Sequence, residues 1–75
     1  MKNTIEKNIA DKIYYSILEY LKDKKISVRE LSAFLEIPYT TLFTWLKTLK
    51  EGKCISIKNI LFLEEKLKIR LIFFD

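Results

Sequence analysis

Apolar residues recur along the first third of the chain at steps of three and four. Ile5, Ile9, Ala10, Ile13, Ile17, Tyr20 and Leu21 form one stripe, widened on one side by Tyr14, Tyr15 and Leu18. That spacing predicts an amphipathic helix over residues 4–23, with Thr4 as its N-cap. A helix of about 20 residues is near 30 Å long, more than a small bundle needs, so its first two turns are expected to project or to pack on another chain. "KDKKIS" then breaks the pattern. Ser27 and Glu30 stand at capping-box spacing, and Ile26 precedes them as a hydrophobic staple for Leu31. A second helix therefore runs from Val28 to about Glu36, burying Val28, Leu31 and either Phe34 or Leu35. Pro38 has no amide hydrogen and disfavours helical geometry at Ile37, which ends it. A third helix, residues 39–50, turns Leu42, Trp45, Leu46 and Leu49 inward and stops at Gly52. Ser56 caps a fourth, whose apolar positions Ile57, Ile60, Leu61, Leu63 and Leu67 fit the helical period imperfectly.

The tail "KIRLIFFD" changes character. Ile69, Leu71, Ile72, Phe73 and Phe74 make a β-branched and aromatic run of strand length. The one internal candidate to pair with it is the very short "CISI", residues 54–57. An unpaired apolar strand is an aggregation hazard unless its edge is covered. The same strand from a second copy would cover it, so residues 69–74 are expected to form a dimerisation strand.

Composition narrows the function classes. The chain has 75 residues, 49% apolar and 32% charged, which describes one folded domain spanning 1–75 near the lower size limit for a self-sufficient core. Domains this small usually gain support from disulfides, a metal or a partner chain. Cys54 is the only cysteine and histidine is absent, which excludes an internal disulfide and the usual zinc sites. Association with a second copy is the support that remains. Cys54 itself reads as a small apolar residue. An enzyme is not expected: there is no histidine for base catalysis, one glycine cannot build a phosphate-cradling loop, and no nucleophile has an evident partner. No metal or cofactor is expected either. With no apolar run of membrane-spanning length and no signal-peptide pattern, a cytoplasmic location is expected and no membrane partner.

The net charge of +4 is modest, but its placement is informative. From Lys22 to Arg29 there are four basic residues, Lys22, Lys24, Lys25 and Arg29, and one acid, Asp23. From Lys47 to Lys58 there are four more, Lys47, Lys50, Lys53 and Lys58, opposed by Glu51 alone. Two basic clusters thus bracket "VRELSAFLEIPYTTLFTWL". Two short helices joined by a tight turn, the second with an exposed polar face, follow a helix-turn-helix plan over residues 28–50.

On these residues, 27–67 resemble the Cro/repressor-type (Xre-like) helix-turn-helix DNA-binding domains. Leu31, Leu35, Ile37, Leu42, Trp45 and Leu46 fall at that family's apolar positions, and Ser32 at its small-residue position. Two departures stand beside the match. Glu36 occupies a position where the family often has a turn glycine, and the segment after Trp45 is a few residues longer than usual. The resemblance implies a mainly α, lambda-repressor-like four-helix domain binding double-stranded DNA, with the helix 39–50 in the major groove. It points to Tyr39, Thr40, Thr41, Phe43 and Thr44 as base contacts. The helical period independently puts Tyr39, Thr40, Phe43, Thr44 and Lys47 outward. Threonine hydroxyls bond either kind of base-edge group, and their methyls contact thymine. No Arg, Asn or Gln precedes Lys47 on this face to make a bidentate base contact, so shape and thymine contacts carry more of the reading.

Lys25, Ser27, Arg29, Lys47, Lys50 and Lys53 are placed to meet phosphates, which position the protein without reading sequence. Six phosphate contacts would give a log–log salt slope of roughly −5. The end of the chain resembles antitoxin-type, HipB-like members of the family, in which a C-terminal strand pairs with its twofold mate. That resemblance implies a homodimer and, in an antitoxin setting, a toxin protein as a second partner. Two other readings use the same residues. In an excisionase- or MerR-like DNA-bending factor, residues 53–57 would be a wing strand. In a protein-interaction module, Tyr39 and Phe43 would be the hot spots.

Overall fold

In a computed structural model, residues 4–71 are described, with side chains from Ile5 onward. Among these residues are four helices and no strand: α1 (Thr4–Lys24), α2 (Val28–Leu35), α3 (Tyr39–Lys50) and α4 (Ile57–Leu67). The molecule measures 37 × 27 × 22 Å, and α1, the longest helix, accounts for most of the long axis. α3 packs against both α1 and α2.

The helix ends follow from local chemistry. The Glu30 amide donates to Ser27 Oγ at 3.1 Å and the Ser27 amide donates to Glu30 Oε1 at 2.7 Å, a complete capping box. Ser56 caps α4 with its side chain alone, accepting from the Asn59 amide at 3.2 Å. α2 ends with Glu36 in the left-handed region at φ 60°, while the Ile37 amide reaches back to the Ser32 carbonyl at 3.1 Å. Pro38 begins α3: its carbonyl accepts from the Thr41 and Leu42 amides, and α3 has no side-chain cap. Gly52, at φ 87°, closes α3, with the Lys53 amide bonded to the Thr48 carbonyl.

One core joins all four helices: Ala10, Ile13, Ile17 and Leu21 from α1, Leu31 and Leu35 from α2, Leu42, Leu46 and Leu49 from α3, and Ile60, Leu63 and Leu67 from α4. Truncating a fully buried leucine such as Leu42 to alanine costs about 2–5 kcal/mol. A domain of this length has roughly 4–11 kcal/mol in total, so one such change removes much of it. Ser32 is the one buried polar residue among those described, and its hydroxyl donates to the Arg29 carbonyl at 2.7 Å. A side chain of this size lets α2 approach its neighbours closely.

Several positions expected inward are not. Ile5 is 73% exposed, Ile57 59% and Leu61 52%. In α1 the chain of four-residue steps from Ile5 to Leu21 drifts about 40° per step, so Ile5 lies some 160° around the helix from Leu21. In α4 the buried face is set by Ile60, Leu63 and Leu67, and Ile57 and Leu61 fall about 90° and 130° from its centre. Tyr15 and Phe34 are also exposed; of the pair Phe34 and Leu35, Leu35 is the buried one. Trp45 is half-buried and meets Phe62 of α4 edge-on, ring centroids 6.3 Å apart at 78°.

The start of α1 does not project freely. The Cys54 amide donates to Glu6 Oε2 at 3.0 Å and the Cys54 thiol to the Glu6 carbonyl at 3.7 Å. Residues 53–56 are therefore a coil tied to the first turns of α1, with Ile55 in the core, and not a wing strand. The expected C-terminal strand is likewise not seen in its described part. Lys68 turns left-handed at φ 58°, and Ile69, Arg70 and Leu71 continue without a ladder partner. The Leu71 amide instead donates to Glu64 Oε2 at 2.7 Å, and its side chain is 1% exposed within the chain's own core. Ile72, Phe73 and Phe74 lie outside the described residues.

Candidate nucleic-acid interface

α3 buries one face and presents the other. Leu42, Leu46 and Leu49 define the buried side, and at 100° per residue Thr40 and Thr44 lie about 160° from it. Both threonines are exposed, as are Phe43, Lys47 and Lys50, while Tyr39 and Thr41 are half-buried. Neither α1 nor α4 covers the hydroxyl-bearing side.

The turn over residues 36–38 brings the start of α2 beside the start of α3. The Arg29 guanidinium lies over the Tyr39 ring, 4.4 Å from its centroid, and the Tyr39 and Phe43 rings stack at 6.0 Å and 29°. Arg29, Tyr39 and Phe43 are thus a continuous stack along the first turn of α3. A cation over an aromatic face gains about 0.5–1 kcal/mol at an exposed site. That is enough to hold Arg29 near the first turn of α3 without removing its charge.

The cations expected at phosphates fall at both ends of α3. Lys25, Ser27 and Arg29 are exposed at the α1–α2 junction, and Lys47, Lys50 and Lys53 are exposed on the last turns of α3 and the loop beyond it. Ser27 Oγ already accepts from the Glu30 amide, which leaves its hydroxyl hydrogen for a phosphate oxygen. Lys47 is not free: its ammonium lies 3.3 Å from Glu51 Oε2 across one helical turn. Both side chains are more than half exposed, so the pair is worth less than about 1 kcal/mol.

Sequence reasoning missed two of these relations. The Lys47–Glu51 pair was legible as an i,i+4 spacing. The Arg29–Tyr39 contact joins residues on different helices across the proline turn, and no local spacing announces it. Of the residues expected at a dimer interface, Ile69 is half-buried and Leu71 is enclosed by the core, so their side chains are engaged within the chain.

Cys54 has a thiol pKa raised by burial and, secondarily, by the nearby Glu6 carboxylate, which keeps it protonated. Among the described residues no cluster of His, Cys, Asp or Glu is arranged to hold a metal, and no helix is long and apolar enough to cross a membrane. No protein-family model, curated protein or solved structure matches the chain.

Proposed function

We propose that the chain is a sequence-specific DNA-binding regulator, a helix-turn-helix domain of the lambda-repressor-like kind acting as a small homodimeric repressor or autoregulating antitoxin. One observation carries the reading: the hydroxyl face of α3, with Thr40 and Thr44 outward, is open to solvent and flanked at both ends by exposed cations. In this reading α3 enters the major groove. Thr40, Thr44 and the Phe43 ring meet base edges and thymine methyls, and Lys25, Arg29, Lys50 and Lys53 follow the phosphates. The Tyr39 ring positions the Arg29 guanidinium.

Dimerisation is supported by apolar surface left over on α4. Ile57 and Leu61 stand one helical turn apart there, beside Ile69. A second copy seated there would cover both residues. Two recognition helices would then lie about 34 Å apart and favour a palindromic operator. A cytoplasmic location and an antitoxin's toxin partner belong to the same reading.

The test is selection of bound sequences from a random duplex pool, followed by gel shifts with single variants. Thr40→Ala and Thr44→Ala should lose selectivity between selected and random duplexes, by about 1–3 kcal/mol per lost base contact. Lys50→Ala should weaken both duplexes alike. Equal loss on both duplexes in the threonine variants would remove these residues from the reading face.

A further inference from the structure

A groove of about 630 Å³ runs along the flank of α3, between it, α1 and the start of α2. Its floor and walls are Tyr14 and Leu18 of α1, Val28 of α2, and Tyr39, Phe43 and Leu46 of α3. Lys47, Lys50 and Glu51 line one end. The volume falls within the roughly 300–1,000 Å³ of small-molecule sites, and an apolar lining with a few polar groups at one place is their usual character. The groove is also polarised. The lining towards the first turn of α3 is apolar or aromatic, with the Arg29 guanidinium over the Tyr39 ring but not itself part of the lining, whereas the far end carries two ammonium groups and one carboxylate. Glu51 is committed to Lys47 at 3.3 Å, which leaves Lys50 as the uncompensated charge.

We propose that this groove binds an amphipathic anion, a carboxylate-headed alkyl or aryl molecule, with its head at Lys50 and its tail against Leu18, Val28 and Phe43. Charge placement selects the head group, because a cationic head would meet Lys47 and Lys50, and a neutral one would leave Lys50 unanswered. Length selects the tail. α3 is about 18 Å long, and the groove follows it from Tyr39 to Glu51. A peptide helix of that length, about 10 Å across, is too bulky to enter such a groove except by its side chains. Resting on the DNA-binding reading, the site has a regulatory consequence. Tyr39 and Phe43 belong both to the groove and to the DNA-facing stack, so an occupied groove and a seated duplex compete for the same rings. The ligand would act as an inducer that releases DNA.

The probe is dodecanoate, titrated calorimetrically into the full-length chain below its micellar concentration, with dodecyltrimethylammonium as the matched cation. Saturable binding at one molecule per chain is expected, with the cation weaker by about tenfold or more. Lys50→Glu should weaken dodecanoate about tenfold, and Phe43→Ser should weaken it while leaving the helical circular dichroism unchanged. Lys58→Glu makes the same charge change outside the groove and should leave binding as it was. Equal binding of both head groups, several molecules per chain, or equal loss in Lys50→Glu and Lys58→Glu would overturn the site. Competition is read separately, as displacement of a labelled random-sequence duplex. A chain that binds dodecanoate as described but no duplex keeps the groove and refutes the DNA reading. A chain that binds duplex undisturbed by saturating dodecanoate refutes the inducer role.

Discussion

The Lys47–Glu51 pair offers a quantitative handle on the proposed DNA-binding face. If Lys47 meets a phosphate, it must leave Glu51, whose carboxylate 3.3 Å away is then brought towards the duplex. Ser27 is neutral and displaces no counterion, so the salt dependence rests on the five cations Lys25, Arg29, Lys47, Lys50 and Lys53. With Lys47 held by Glu51, four contribute, and the log–log slope per protomer is about −3.6; with all five it is about −4.5. Glu51→Gln should produce that change. It removes a competitor worth less than about 1 kcal/mol and a repulsion of roughly 0.5 kcal/mol against a phosphate some 8 Å away, before salt screening. Affinity at 50 mM salt should therefore rise about fivefold. Folding stability should fall by under about 0.5 kcal/mol, because both partners are more than half exposed. Fluorescence anisotropy on one labelled duplex between 50 and 200 mM salt gives both numbers, and Lys47→Ala in the Glu51→Gln background should restore the shallower slope. An unchanged slope in Glu51→Gln would show that Glu51 does not withhold Lys47 from the backbone. An unchanged slope on adding Lys47→Ala as well would show that Lys47 does not touch it, and the geometry proposed for α3 would have to be redrawn.

Two further predictions concern the framework that positions α3. Gly52→Ala should destabilise the chain by about 1–2 kcal/mol in urea unfolding, because φ is 87° there and an added Cβ would lie 3.2 Å from Lys7 Cγ. The Cys54 thiol is held protonated by burial and then by Glu6, so its folded pKa is above that of the unfolded chain. Its contribution to stability is complete below the ordinary thiol range and is lost as pH rises from there through the raised folded pKa. Iodoacetamide should label native Cys54 more slowly than the urea-unfolded chain at a pH just above that range.

The helices were largely readable because their ends are encoded locally. Ser27 with Glu30, Pro38, Gly52 and Ser56 each act over three or four residues, and each is where the expected boundary falls. The buried face of α3 was equally clear from Leu42, Leu46 and Leu49. Errors arose where an apolar residue satisfied the spacing but not the cumulative rotation, as with Ile5 and Leu61. The tail was misread for a different reason. Ile69 and Leu71 have strand-like side chains, but the Glu64 carboxylate captures the Leu71 amide and the core takes its side chain, which is a tertiary effect. At the candidate interface, the outward threonines followed from helical period alone. The stack of Arg29 on Tyr39 did not, since it depends on how the residue 36–38 turn sets α2 against α3. Glu36 illustrates the limit in the other direction. Its left-handed φ of 60° is the geometry for which glycine is usually chosen, and here a glutamate holds the same turn.

The most direct test of the central claim is a map of amide chemical-shift changes in the ¹⁵N-labelled chain on adding a short random-sequence duplex at low salt. Non-specific binding uses the same cations and the same face, so no operator is needed. The account predicts changes concentrated at Ser27, Arg29, Thr40, Phe43, Thr44 and Lys50, with Leu61 and its neighbours on α4 unaffected. Changes confined to the α4 face, or none at any duplex concentration, would contradict it.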